Sequence, residues 1–184
     1  MHTTRVISRG FTLIELVLAL AVAAICLGIA IPSVRGAVSA VHAGTAKAAM
    51  VEAFTKAIAH STITGVEVVL CPAGGGDACA DTIDWSVGWI AFADLDGNRS
   101  RSPNETLLLR HPALADGVHL RGTPGRKRLV FQPGGGAASG SNVTFTLCDL
   151  RGAAKATTLV LANSGRFRQD TPDAASAWAC TQPL

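Results

Sequence analysis

The chain has 184 residues, enough for one folded domain with a real hydrophobic core. Hydrophobic residues make up 48% of it, and the first third carries much of that share. The net charge is +3, and setting aside Arg5 and Arg9 leaves 14 basic residues against 13 acidic ones. A chain this close to neutral is no wholesale polyanion binder, so any basic function must come from local clustering.

Residues 16–31 are an unbroken apolar run, and counting from Phe11 through Glu15 extends it to 21 residues. That meets the roughly 20 residues a membrane-spanning helix needs. Arg5 and Arg9 precede the run and should stay cytoplasmic, leaving the rest of the chain exported. A secretory signal would place a small-residue cleavage site after the run, and "IAIPSVRGAV" offers little of that kind. Helical spacing continues past Pro32 through Val34, Val38, Val41, Thr45, Ala48, Val51, Phe54 and Ile58. Pro32 then predicts a kink and not a stop. The expectation is one helix of about 50 residues, half in lipid and half outside.

Glu15 is the exception inside the run. A carboxylate there costs on the order of 2.5–3.5 kcal/mol. One reading is a snorkelling end residue. The other is a charge whose partner appears later. A cut after Gly10 would give Phe11 a free amine, and among packed helices one subunit's carboxylate could meet another's amine. The stretch "GFTLIE", from Gly10 to Glu15, followed by the apolar run, resembles the prepilin signature of type IV pilins and type II secretion pseudopilins. That resemblance implies cleavage by prepilin peptidase between Gly10 and Phe11 and N-methylation of Phe11. It also implies a part for Glu15 in subunit registration.

Short β-rich runs follow, separated by Gly, Pro, Asn and Asp. Strands are predicted at 65–70, 88–93, 106–111, 118–121, 129–132, 143–148, 157–162 and 165–168. One long helix and then strands alone is an α+β order, with an antiparallel sheet on the exported half of the helix. The expected organisation is a leader at 1–10, a membrane half at 11–32, an exported helix half at 33–62 and a β-rich domain at 63–184. Of five cysteines, Cys26 lies in the apolar run as a small hydrophobe, and Cys71, Cys79, Cys148 and Cys180 lie downstream. An even number there suggests two disulfides in an oxidising compartment. Three pairings are open, and the short flexible loop "CPAGGGDAC" favours the sequential one. A zinc site is the rival, but there is no CxxC and no nearby His pair.

No enzyme motif is present: GxSxG, HExxH and CxxC are missing, the five histidines are scattered, and no cofactor is expected. In "DLDGNRSRSPNE", Asp94, Asp96, Asn98 and Glu105 hold positions one, three, five and twelve of a calcium hand. Arg99 takes the sixth position, where that loop requires Gly, so a polar hairpin loop is the favoured reading. In "SGRFRQD" a strand would put Arg166 and Arg168 on one face and Phe167 on the other. The guanidiniums would stand about 7 Å apart, near one phosphate spacing. A charged strand edge set against aggregation is the bland alternative. Arg126, Lys127, Arg128 and Arg151 offer further positive charge.

The later segments "VVLCPAGGGDAC", "WSVGWIAFADLDG", "RLVFQPGG", "FTLCDLRG" and "LVLANSGRFR" are similar, in this order, to the GspH/FimT family of minor pilins and pseudopilins. The resemblance implies a pilin-like fold and a Cys148–Cys180 bridge. It implies an inner-membrane protein with a periplasmic C-terminal domain, whose partners are other pilin or pseudopilin subunits and prepilin peptidase. Gly165-Arg166-Phe167-Arg168 is similar to the Gly-Arg-x-Arg motif that FimT-type pilins associate with DNA capture in natural transformation. The expectation is therefore a type IV minor pilin that binds DNA non-specifically. The alternative is a type II secretion pseudopilin working through protein contacts only.

Overall fold

The computed structural model describes residues 12–138 and 140–183. A helix α1 (Leu13–Thr64) opens the chain. Eight strands follow: β1 (Glu67–Pro72), β2 (Trp89–Asp94), β3 (Leu107–His111), β4 (His119–Arg121), β5 (Leu129–Phe131), β6 (Val143–Cys148), β7 (Thr157–Leu161) and β8 (Phe167–Asp170). A short helix α2 (Ala174–Cys180) comes last. The chain divides into two units, the first ending at Ala37 and the second beginning at Val38.

In the first unit α1 carries Leu13, Leu16, Leu20, Ile25, Leu27 and Ile31 exposed. The helix is long and apolar enough to cross a membrane, and it does not end at Pro32. Large apolar side chains exposed along its length suit a helix in hydrocarbon.

In the second unit α1 buries Ser39, Ala43, Ala46, Met50, Ala53, Phe54, Ala57 and Ser61, a stripe at helical spacing. This corrects the expected face. Val38 and Val41 are exposed, and of the predicted series Phe54 alone is fully buried. The physical reason is space: alanines let the strands approach the helix backbone, where β-branched side chains would hold them off. Phe54 fills the centre, with its ring 5.6–6.0 Å from those of Phe131, Phe145 and Phe167.

Two antiparallel four-stranded sheets, and not one, meet this stripe. Their orders are β3-β2-β1-β5 and β4-β6-β7-β8. Val68, Leu70, Leu129 and Phe131 from the first join Leu120, Phe145, Leu147, Leu159 and Leu161 from the second in one core. The opposite face of the first sheet buries Val69, Cys71, Ile90, Phe92 and Val130 in a smaller cluster. Burial on both faces explains why β1 reads as a continuous apolar run with no alternation.

Disulfides join Cys71 to Cys79 and Cys148 to Cys180. The second ties α2 to β6, and Cys148, Ala156, Ala177 and Cys180 form a third cluster. The sequence pattern predicts no helix at 174–180. Asp173 caps it by accepting from the Ser176 N–H at 2.8 Å. Seven residues are too few for a periodicity to show.

Candidate functional site

The N-terminal site starts at Thr12, the residue before α1. Thr12 Oγ1 accepts from the Glu15 N–H at 3.3 Å. Glu15 Oε2 in turn accepts from the Thr12 N–H at 2.8 Å and the Thr12 hydroxyl at 2.9 Å. This is a capping box: it satisfies helix-start donors reciprocally and puts a negative charge where the helix dipole favours one. Glu15 thus has a role inside its own chain. Both bonds to the carboxylate use Oε2, which leaves Oε1 for a further donor. Thr12 is absent from the residues expected above, although Thr-x-x-Glu before an apolar run is its sequence signal. Gly10 and Phe11 lie outside the described residues.

The basic tip is the β7–β8 hairpin. Its turn is closed by the Gly165 N–H on the Ala162 carbonyl at 2.9 Å and by the Ala162 N–H on the Arg166 carbonyl at 3.0 Å. Gly165 has φ 75°, and a Cβ there would stand 3.1 Å from the Gly136 Cα. The glycine is required by the turn and by the neighbouring "PGGG" loop, whatever the arginines do. β8 is an edge strand, and the pleat sorts its side chains. Phe167 faces the core through Phe54, and Gln169 Oε1 accepts from Lys47 Nζ at 2.9 Å. Arg166 and Arg168 are exposed on the other face. Asp170 approaches Arg168 at 4.0 Å, while no salt bridge engages Arg166 among the described residues. Lys47 is a further cation beside β8: its hydrogen bond to Gln169 places it there, and no local sequence signal could.

The other predicted cations are not gathered at this tip. Arg126, Lys127 and Arg128 line a separate open groove with Asn98, Arg99 and Ser141. Arg126 Nε donates to the Asn142 carbonyl at 2.9 Å, and Lys127 pairs with Asp81 at 2.9 Å. Arg151 is committed to the buried Asp149 through Nε and Nη2, at 2.9 and 2.7 Å. Burial would raise the Asp149 carboxyl, but hydrogen bonds from the Arg151 side chain and backbone outweigh it and hold that carboxyl below its ordinary range. Arg151 thus clamps Asp149 within its own chain.

Residues 48–165 match the family described as Type II transport protein GspH, and residues 7–31 match the prokaryotic N-terminal methylation motif. The chain belongs to the GspH family. Two crystal structures of the type IV minor pilin FimU from Pseudomonas aeruginosa share its fold. One is 14% identical with a TM-score of 0.53, covering 72% of this chain and 94% of FimU. The other is 13% identical with a TM-score of 0.55, covering 77% and 92%. No curated protein matches the chain significantly.

As a GspH-family member with a methylation motif, the protein is a pilin-type subunit, a minor pilin or pseudopilin of a type IV pilus or a type II secretion system. Membership implies other pilin subunits as partners and processing by prepilin peptidase. The apolar helix and the motif fit anchoring in the inner membrane. The GspH match ends at Gly165, so Arg166 and Arg168 lie just beyond it.

Proposed function

We propose that this GspH-family protein is a minor pilin of a type IV pilus that binds extracellular DNA non-specifically through Arg166 and Arg168. The observation that carries the reading is the direction of β8: Phe167 and Gln169 are held toward α1, so both arginines face solvent at an edge. Guanidinium forks on a rigid strand suit phosphate oxygens. Affinity per subunit is weak and salt-dependent, and several subunits along a filament would add avidity. The leader is cytoplasmic, the cut falls between Gly10 and Phe11, Phe11 is methylated, and Glu15 meets the Phe11 amine of a neighbour. Two disulfides suit a periplasmic domain. No catalytic role is proposed.

A gel shift of the full-length chain in non-ionic detergent tests the reading. The wild type should retard duplex DNA at low salt. Arg166→Gln with Arg168→Gln should weaken that retardation and lower the slope of log affinity against log salt by about 1.8. Equal retardation by the double variant would remove the pair from the interface. No retardation by the wild type would favour the second reading, a secretion pseudopilin with protein contacts only. Asp170 beside Arg168 favours that reading, because it offsets half of the pair's charge.

A further inference from the structure

We propose that the β2–β3 loop is a calcium site formed by the carboxylates of Asp94, Asp96 and Glu105. One oxygen from each of the three lies within 4.8 Å of the others. Asp94 is 4% exposed and Glu105 3%, so two of the three acids are withdrawn from water. Asp94 Oδ1 is buried and accepts no hydrogen bond. An unpartnered buried carboxylate oxygen beside two further carboxylates calls for a cation or a proton.

The remaining oxygens are held in place without being exhausted. Asp94 Oδ2 accepts from the Arg99 N–H at 3.1 Å. Glu105 Oε1 and Oε2 accept from the Leu95 and Ser102 N–H groups, at 2.9 and 2.8 Å. Asp96 takes the Asn98 N–H and side-chain amide at 3.1 and 2.7 Å. Each oxygen has a second acceptor site to offer. Among the described residues no salt bridge reaches any of the three acids. Arg101, four residues before Glu105, instead approaches the Glu105 carbonyl and Asp77.

The donor set selects the metal. All-oxygen carboxylate donors suit a hard cation, and three of them with water completing the shell suit calcium over thiolate- or imidazole-seeking metals. The residue-type objection at the sixth loop position also falls away, since Arg99 adopts φ 60°, the left-handed conformation for which Gly is usually needed. Asn98 Oδ1 accepts from the Ser100 N–H at 2.6 Å within the same loop.

Calorimetric titration of CaCl2 into the chelator-treated full-length chain in non-ionic detergent at pH 7.5 tests the site. A single saturable event is expected, with Kd on the order of 10⁻⁴–10⁻³ M. Asp94→Asn should abolish it. Asp96→Asn, at an exposed position where folding is not at stake, should weaken it about tenfold as ligand charge is lost. No saturable heat in the wild type would overturn the proposal and leave a protonated Asp94 as the reading. Unchanged binding in the Asp96 variant, or equal affinity for MgCl2, would also overturn it.

Discussion

Residues 13–37 and 38–64 belong to one helix but have opposite surfaces. The first stretch displays Leu13, Leu16, Leu20, Ile25 and Leu27, and buries none of them. The second hides a narrow stripe of alanines with Met50 and Phe54, and leaves Val38 and Val41 outside. Apolar content is high in both, so content does not say which side chains a fold will use. Size does. Bulky residues on all faces suit lipid, while small residues along one face let two sheets close on a helix.

The largest effect that can break this contrast is at Phe54. Phe54→Ala should destabilise the second unit by about 3–5 kcal/mol, read by chemical denaturation with the fluorescence of the buried Trp85 and Trp89. Leu20→Ala should leave that transition within about 0.5 kcal/mol. Equal losses would erase the distinction between the halves. Overpacking probes the stripe itself: Ala46→Leu should cost about 1–3 kcal/mol in the same assay, and Ala23→Leu nothing measurable. The smallest effect concerns the helix start. Thr12→Ala should cost about 0.5–2 kcal/mol of local cap stability and leave filament incorporation in place. Glu15→Ala should leave membrane insertion intact and lower the amount of subunit in sheared filaments. Equal incorporation losses in the two variants would assign Glu15 to the cap and not to registration.

Several elements were legible because their signals are local. Each of the eight predicted strand segments overlaps an observed strand, since Gly, Pro and Asn punctuation and apolar runs are read within a few residues. The alternation around Phe167 placed its face correctly for the same reason. The helix face was misread because Val38 and Val41 are more hydrophobic than the alanines that pack, and hydrophobicity does not report clearance. The pairing of Arg151 with Asp149, two residues away, follows from a burial of Asp149 that no spacing reveals. α2 was missed for want of length, as its hold on β6 comes from a disulfide.

The sequence by itself determined the membrane-length run, the processing motif around Gly10 and Phe11, the α+β order and the alternation around Phe167. Each depends on residues within one helix turn, one hairpin or one continuous run. The tertiary structure decided the rest: two sheets where one was expected, the alanine stripe as the buried face, Lys47 beside β8, and the burial of Asp94 and Glu105 around one point. Those outcomes depend on which distant segments exclude water from one another, and that is a property of packing in three dimensions.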